Sequence, residues 1–261
     1  MDDSSILWRQ QGGVIALVLN RPQRRNALAT VHWLALDEAL QRAERAATEG
    51  VARLLCVEGA AGAFCAGADI DELRQTLSDP HQLLANAAIV QRCQLRLERL
   101  SLTTLALIDG ACVGGGLGLA LACDLRLATP RSQFALSPAR LGLVYSVDDT
   151  RRLVHTVGMA RAKQMLLTGD AIDAATAARW GLISRCLPAT GADEVVETFQ
   201  QALLATSGSA RRGIKQVLAH VGGDPQVSAE QALALFEDAF ASADFVEGAA
   251  AFLDKRPARF S

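Results

Sequence analysis

Residues 110–124 read GACVGGGLGLALACD, with three consecutive glycines, a fourth two residues on, and no charged residue before the closing Asp124. One interpretation is a phosphate-binding loop, but the Lys-Ser/Thr pair of a P-loop and the GxGxxG spacing are both missing. A second is that the glycines only let a helix pack closely on a strand. A third is that backbone N–H groups at a helix start face a developing negative charge, because first-turn amides lack partners within the helix and the helix dipole favours an anion. Only the third explains why no side chain for chemistry is supplied.

A second small-residue turn supports the third interpretation. Residues 62–72 read GAFCAGADIDE and, like residues 110–124, follow a predicted strand. Two such turns after strands of one sheet can each bring one bare backbone amide to a single oxygen atom. That arrangement is an oxyanion hole, and its acceptor is a carbonyl oxygen whose negative charge grows during the reaction.

The elements that must position these turns alternate between strands and helices in the first half of the chain. Short apolar runs predict strands, and longer periodic stretches predict helices. The predicted strands are 14–19, 52–57, 104–108 and 125–128, and the predicted helices are 30–47, 82–100 and 117–122. This alternation predicts an α/β core whose parallel strands are joined by crossovers.

The chain after about residue 149 is predicted to be mostly helical. Helical segments start near residues 150, 160, 174, 193, 208, 228 and 244, and 182–187 is a further strand candidate. Leu233, Phe236 and Phe240 fall at i, i+3 and i+7 of one segment, which places a bulky apolar stripe on one helix face. Such a stripe is typical of a region that packs on another subunit or back over the core.

Composition excludes several functional classes. The 261 residues are 50% hydrophobic with a net charge of −2 spread over both signs, so neither a nucleic acid nor a membrane surface is predicted as a partner. Apolar runs are shorter than the roughly 18 residues of a membrane span, and the acidic N-terminus is unlike a signal peptide, which predicts a cytoplasmic protein. The 4 histidines and 6 cysteines show no metal-ligand spacing, so we predict no metal site and reduced, structural cysteines.

Six motifs in order along the chain resemble the crotonase superfamily, which is also called the enoyl-CoA hydratase/isomerase family. They are NRPQRRNAL (20–28), AFCAGADI (63–70), GACVGGGLGLALACDLRLA (110–128), FALSPARLGL (134–143), LLTGDAIDAATAARWGLI (166–183) and EGAAAFLDKRPARF (247–260). One motif alone would carry little weight, whereas six at the family spacing identify the chain as a member.

The resemblance implies a crotonase-like α/β fold, a spiral of ββα turns followed by a C-terminal helical trimerisation region. Members are often hexamers of two stacked trimers. We therefore expect residues 1–200 to form the core with an acyl-CoA site and residues 201–261 to form a helical oligomerisation region. The implied substrate is an acyl-CoA thioester, so coenzyme A enters as part of the substrate and no cofactor is bound permanently.

By position in the motifs, the resemblance implies that the amides of Ala68 and Gly115 hold the thioester carbonyl as it becomes an enolate. It also implies where coenzyme A lies. The adenine and ribose would lie near Ala66, Asp69 and Ile70, the pantetheine and phosphates would pass Arg24, Arg25 and Ala27, and Lys255 would reach phosphates that a neighbouring subunit commonly binds. Taken singly, these basic residues are equally explained as solvated surface charges.

The chain departs from the family where hydratases carry their acid and base. Hydratases have two glutamates, at the positions of Gly118 and Pro138 here, so ordinary two-glutamate hydration is in doubt. Other branches carry a carboxylate at the position of Ser146. The segment LGLVY is most similar to the methylmalonyl-CoA decarboxylase branch, which has a tyrosine at the position of Tyr145, although Ala68 replaces the histidine of the AGxD motif in that branch.

Tyr145, Ser146, Asp148 and Asp149 are the remaining polar groups near the implied acyl end. A phenol with a pKa of about 10 is neutral at pH 7, so Tyr145 can donate a hydrogen bond to a carboxylate or protonate an enolate, but it is a poor base. Asp148 or Asp149 could act as a base if burial raised its pKa. Both are also explained as the cap and first-turn charge of the following helix.

Two hypotheses of different class follow. The first is an acyl-CoA enzyme that uses the oxyanion hole for decarboxylation, isomerisation or an atypical hydration, with Tyr145 as its main side-chain participant. The second is a catalytically silent CoA-thioester-binding or scaffold subunit that kept the fold without the two glutamates. The missing dinucleotide fingerprint disfavours an oxidoreductase.

Overall fold

The computed structural model describes residues 4–260. The strands are β1 (Ile6–Gln11), β2 (Val14–Leu19), β3 (Leu54–Gly59), β4 (Thr103–Ile108), β5 (Ala111–Val113), β6 (Leu125–Ala128), β7 (Gln133–Ala135), β8 (Ile172–Asp173) and β9 (Arg185–Cys186). The α-helices are α1 (Thr30–Thr48), α2 (Ile70–Thr76), α3 (Pro80–Arg99), α4 (Gly115–Ala122), α5 (Val147–Val157), α6 (Met159–Thr168), α7 (Ala174–Trp180), α8 (Ala192–Leu204), α9 (Gly208–Val221), α10 (Ala229–Ala239) and α11 (Ala243–Leu253).

Two sheets organise the first part of the chain. One has the strand order β1-β2-β3-β4-β6-β9, and β5, β7 and β8 form the other. The pairs β2–β3, β4–β6 and β6–β9 are parallel, as the crossover pattern predicted. The pairs β1–β2 and β7–β8 are antiparallel, and they involve β1, β7 and β8, which were not predicted as strands. In β1–β2 the connection is only Gly12-Gly13, and a two-residue turn can join only antiparallel strands.

The predicted elements are confirmed where the apolar pattern is long. The strands 14–19 and 125–128 coincide with β2 and β6, and the late helices begin within three residues of their predicted starts. Five elements were missed, namely β1, β5, β7, β8 and α2. Of the predicted strand 182–187, only the two residues of β9 pair with β6. The missed strands are short or lie at a sheet edge, so they carry little apolar periodicity of their own.

The helix α4 is the element that carries the glycine stretch into the core. It is buried from Gly116 to Ala122, which agrees with its uniformly apolar sequence. Its C-terminal end is held by buried Arg126, whose Nη1 donates to the carbonyl oxygens of Cys123 at 2.7 Å and Ala120 at 3.3 Å. A helix anchored in this way presents its N-terminal turn at a fixed place.

The chain divides into two compact units. The first comprises the residues up to Leu100 together with Thr104–Ala192, and the second comprises Ser101–Thr103 and the residues from Asp193 onward. Residue 200, which the sequence analysis expects to end the core, lies within α8. In the second unit, the side chains of the predicted apolar stripe are exposed, at 56% for Leu233, 61% for Phe236 and 57% for Phe240. These three side chains therefore form an exposed apolar face on the second unit.

The cysteines, the potential metal ligands and the apolar helices complete the description of the fold. Among residues 4–260, every cysteine is free, and no three His, Cys, Asp or Glu side chains are grouped so as to hold a metal ion. None of the described helices is long and apolar enough to cross a membrane.

Candidate active site

The first turn of α4 is built so that only glycine fits at two of its positions. Gly114, the residue before the helix, has a φ of +53°. A side chain on Gly116 would begin 2.6 Å from the carbonyl oxygen of Cys65, which is backbone and cannot move aside. Gly116 therefore supports the packing interpretation of the glycine stretch, whereas Gly114 is required by its positive φ.

Gly115 is the glycine of this turn whose amide is available to a ligand. It is the first residue of α4, it is half-buried, and its N–H donates no hydrogen bond to any described residue. Gly114, the residue before the helix, has no side chain that could accept a hydrogen bond from the first-turn amides. An unpartnered first-turn amide with the helix dipole behind it attracts negative charge.

The second turn, residues 65–69, leaves one amide in the same state. The amides on either side of Ala68 are used: Gly67 N–H reaches Cys65 Sγ at 3.4 Å, and Asp69 N–H donates to the carbonyl of Leu28 at 3.2 Å. The Gly67 carbonyl in turn accepts from Leu28 N–H at 2.9 Å. Within residues 4–260 the N–H of Ala68 has no acceptor, and Ala68 is exposed.

Backbone pairing places the two turns next to each other. Cys65 and Cys112 form a parallel bridge, in which Cys65 N–H donates to the Ala111 carbonyl at 2.8 Å and Val113 N–H donates to the Cys65 carbonyl at 2.9 Å. An ideal Cβ built on Gly67 would lie 3.7 Å from the Gly115 nitrogen. The chain thus places residues 62–72 and 110–124 next to each other, and each segment has one amide without an acceptor among the described residues.

The comparisons with known proteins agree with this architecture. The family model described as "Enoyl-CoA hydratase/isomerase" matches residues 9–261. The chain belongs to this family. It is 31% identical over 251 residues to "Probable enoyl-CoA hydratase echA6" of Mycobacterium leprae, covering 96% of this chain and 97% of the relative. It is 33% identical to the mouse "Enoyl-CoA hydratase domain-containing protein 2, mitochondrial", covering 95% of this chain and 84% of the relative.

A solved structure confirms the fold of this enoyl-CoA hydratase/isomerase family member. The crystal structure of a family protein from Hyphomonas neptunium superposes with a TM-score of 0.91 at 35% identity, covering 99% of this chain and 98% of that one. The fold is therefore crotonase-like α/β, as the sequence motifs implied. Family membership does not by itself assign the reaction, which depends on the side chains around the two amides.

The residues that the resemblance assigned to coenzyme A differ in their exposure and in their hydrogen-bond partners within the chain. Asp69 is buried at the start of α2, where it accepts hydrogen bonds from the amides of Asp71 and Glu72 and pairs with Arg21 Nη1 at 2.7 Å. Burial alone would raise the pKa of Asp69, but these donors outweigh it and lower the pKa. The Asp69 carboxylate therefore has a structural role, in which it caps α2 and pairs with Arg21.

The other assigned residues leave more surface for a ligand. Arg24 is exposed and pairs with Asp71 at 2.6 Å, Arg25 is exposed with a φ of +49°, and Ile70 is 65% exposed. Ala27 is buried and Ala66 is half-buried, so they can contribute backbone and shape only. Lys255 is exposed and belongs to the second unit.

Tyr145 has a buried hydroxyl that forms no hydrogen bond with any described residue. Burial raises the pKa of Tyr145 well above its usual value, and the nearby Asp149 carboxylate raises it further, while Arg152 opposes the change. The phenol therefore stays neutral at all ordinary pH values and is a hydrogen-bond donor without an acceptor. A buried polar group of this kind is costly unless a ligand or water satisfies it.

Asp148 and Asp149 lie in the first turn of α5 and differ sharply in burial. The Asp148 side chain is 48% exposed and faces Arg151 at 3.9 Å. Asp149 is 4% exposed, and its carboxylate accepts hydrogen bonds from Gln91 Nε2 at 2.8 Å, Ser146 Oγ at 2.8 Å and Arg152 Nη1 at 3.1 Å. Both aspartates thus lie in the first turn of α5, as the first-turn-charge explanation expects, but the N-cap is Ser146.

The sequence analysis missed the partners of Asp149. Gln91, Gln94 and Glu98 lie on α3 at i, i+3 and i+7, so they share one helix face. They meet Asp149 and Arg152 of α5, with Glu98 Oε2 only 2.8 Å from Arg152 Nη2. The helical spacing of these three polar residues was a usable signal that they share one face.

Proposed function

We propose that this protein is an acyl-CoA enzyme in which the N–H groups of Ala68 and Gly115 hold the thioester oxygen and stabilise an enolate. The observation that carries the proposal is the pair of adjacent turns, each with one accessible, unpartnered amide. Each such donor contributes on the order of 10²–10³ in rate when it is preorganised away from water. Coenzyme A is then part of the substrate, with no permanently bound cofactor.

The reaction is decarboxylation, isomerisation or an atypical hydration, and the side chains favour routes that need no strong base. Tyr145 is neutral, and the carboxylate of Asp149 is surrounded by donors, so neither is a ready proton acceptor. In a decarboxylation, the bond to the carboxylate breaks and its electron pair enters the enolate without any base. The enolate carbon can then take a proton from the Tyr145 hydroxyl, which water restores.

A panel of thioesters tests this proposal. Crotonyl-, methylmalonyl-, 3-enoyl- and aromatic acyl-CoA should be incubated with the protein and the products identified by mass spectrometry. We expect turnover of at least one thioester, with CO2 release from the methylmalonyl compound as the leading outcome. Binding without turnover across the panel would instead support the alternative below, and absence of binding would overturn both.

The alternative is a catalytically silent protein that binds CoA thioesters or serves as a scaffold. It is favoured by Gly118 and Pro138, which cannot transfer protons, and by the full set of partners around Asp149. It predicts that calorimetry detects thioester binding while every panel member is recovered unchanged.

Assembly, location and the coenzyme A contacts also remain proposals. We propose a homo-trimer, or a hexamer of two trimers, that uses the second unit, because Leu233, Phe236 and Phe240 leave an apolar face uncovered there. Sedimentation equilibrium would distinguish a trimer, a hexamer and a monomer. We further propose that Arg24 meets the phosphates of coenzyme A, that Lys255 reaches the phosphates of a coenzyme A bound by a neighbouring subunit, and that the protein works in the cytoplasm.

A further inference from the structure

Gly118 lies one turn after Gly115 on α4, and the space beside it is filled by polar groups of other helices. A side chain on Gly118 would begin 2.5 Å from Nε2 of Gln94 and 2.9 Å from Oδ1 of Asp149. Both groups are buried. The missing side chain of α4 is therefore replaced by an amide from α3 and a carboxylate from α5.

The orientation of the Gln94 amide follows from its partners. Its Oε1 accepts a hydrogen bond from Arg152 Nη1 at 3.3 Å. Because a guanidinium only donates, the amide oxygen must face Arg152 and the amide nitrogen must face α4. That nitrogen donates to the Gly115 carbonyl at 3.5 Å, the long end of the hydrogen-bond range, and it also lies against Gly118.

Arg152 holds this arrangement in place. Its side chain is only 3% exposed and pairs with Asp149 Oδ1 at 3.1 Å and with Glu98 Oε2 at 2.8 Å. Two carboxylates compensate the buried charge, so the guanidinium has little freedom to move away from Gln94. The Gln94 amide is consequently wedged between a fixed cation and the first turn of α4.

We infer that Gln94 is a positioning residue that fixes the first turn of α4 so that the Gly115 N–H is directed at the thioester oxygen. The inference rests on the proposed function. The turn needs outside support because it begins with three glycines and has no side-chain cap, so little in its own sequence makes it rigid. A misplacement of about 1 Å in such a group can cost roughly 10²-fold in rate.

The test compares Gln94→Met with Gln91→Met. Both replacements remove a glutamine of α3 that contacts the α5 network, but of the two only Gln94 donates a hydrogen bond to the first turn of α4. Calorimetry would measure the affinity of each protein for butyryl-CoA and for S-butyl-CoA, a thioether that lacks the carbonyl oxygen. Difference infrared spectroscopy would measure the carbonyl stretch of the bound thioester.

We expect the wild type to prefer the thioester and to shift its carbonyl stretch to lower frequency. Gln94→Met should lose at least tenfold of that preference and most of the shift, with unchanged affinity for S-butyl-CoA, whereas Gln91→Met should keep both. If Gln94→Met and Gln91→Met behave alike, or if Gln94→Met loses affinity for both ligands equally, the positioning role is wrong. If the wild type shows no preference for the thioester, the proposed function fails and the inference fails with it.

Gly118→Ala provides a second test that does not depend on Gln94→Met folding. The added methyl group would lie 2.5 Å from Nε2 of Gln94 and 2.9 Å from Oδ1 of Asp149, so it displaces the Gln94 amide without removing it. Alanine is also the better helix former by about 1 kcal/mol. We expect the same loss of thioester preference as in Gln94→Met. Wild-type preference and an unchanged carbonyl stretch in Gly118→Ala would contradict the inference while leaving the oxyanion hole in place.

Discussion

Helices α4 and α5 contact each other, and they use their N-terminal amides in opposite ways. In α5 the Ser146 hydroxyl accepts from Asp149 N–H at 3.1 Å, and two carboxylates occupy the first turn. In α4 there is no side-chain cap and no acidic residue, and the N–H of Gly115 has no acceptor among the described residues. The polar side chains at the start of α5 therefore form hydrogen bonds and ion pairs within the fold, whereas the Gly115 N–H at the start of α4 is left available.

The difference shows why a lack of side chains can be the functional signal. Asp148 and Asp149 looked like candidate bases in the sequence, yet the geometry of α5 already gives both of them structural partners. The glycine stretch looked featureless, yet Gly114 and Gly116 shape the turn and Gly115 offers its amide. The packing and oxyanion interpretations therefore apply to different glycines of one run.

The replacement Gly115→Pro breaks the comparison most severely, because it removes the available amide of α4. Proline is tolerated at the first position of a helix, so α4 should persist. We expect turnover of any true substrate to fall on the order of 10²–10³-fold, the contribution of one oxyanion donor. Steady-state kinetics measure the loss, and circular dichroism and sedimentation check the fold and the oligomer.

Gly115→Ala is the matched control for that prediction. A Cβ at this position lies 3.3 Å from Trp33 Cζ2, so both variants introduce the same close contact while only alanine keeps the N–H. Activity that falls equally in the two variants would point to crowding against Trp33. Unchanged turnover in Gly115→Pro would remove this amide from the mechanism.

The sequence was sufficient for the long elements of the fold. The β-branched run of β2 and the apolar periods of α1 and α3 are local patterns that tertiary contacts only reinforce. The strands β5, β7 and β8 have two or three residues each and exist because backbone from elsewhere pairs with them. No local pattern encodes such pairing, so they could not be predicted from the residues alone.

The candidate site divides in the same way. The two glycine-containing turns were predictable because each follows a strand and carries its signal within a few residues. The polar cluster of Gln94, Asp149 and Arg152 was not, since it depends on how the faces of α3 and α5 meet. The lack of any partner for the Tyr145 hydroxyl was equally hidden, because burial without a hydrogen bond is a property of the folded state.

Tyr145→Phe, a replacement just before α5, should affect activity and stability in different ways. If the phenol protonates the enolate, we expect kcat to fall about 10²-fold, the lower range for a general acid. Because the hydroxyl has no partner among the described residues, its removal should leave stability unchanged or raise it by about 1 kcal/mol. Kinetics and chemical denaturation measure the two effects. Full kcat in the variant would exclude Tyr145 from the reaction.

Ser146→Ala weakens the N-terminus of α5 and should have a smaller effect. Loss of an N-cap hydroxyl costs about 1 kcal/mol of unfolding free energy. Ser228→Ala removes the corresponding cap from α10, where Ser228 Oγ accepts from Gln231 N–H at 3.1 Å, and it serves as the control. Ser146 also donates to the Asp149 carboxylate, so we expect Ser146→Ala to destabilise more than Ser228→Ala. Equal losses by urea denaturation would show that the α5 network does not depend on Ser146.

The start of α1 has a third kind of helix cap, in which a histidine makes the stability of the fold depend on pH. Nδ1 of His32 accepts from Ala29 N–H at 2.9 Å, so this nitrogen must be unprotonated in the fold. Burial lowers the pKa of His32 from 6.5, and the positive charge of Arg21 lowers it further. The unfolded chain then takes up a proton at a higher pH than the folded chain does. Stability should therefore be complete above about pH 6.5 and should decline as the pH falls below that value.

His32→Gln tests this smallest effect, because a glutamine at the third helical position can also accept from the amide before the helix but does not titrate. We expect the melting temperature of the wild type to fall more than that of His32→Gln between pH 7.5 and pH 5.5. The half-buried imidazole keeps the difference small. The neighbouring Asp69 contributes little in this range, since its pKa is lowered and it stays ionised. Parallel pH profiles of the two proteins would show that the cap of α1 is indifferent to His32 protonation.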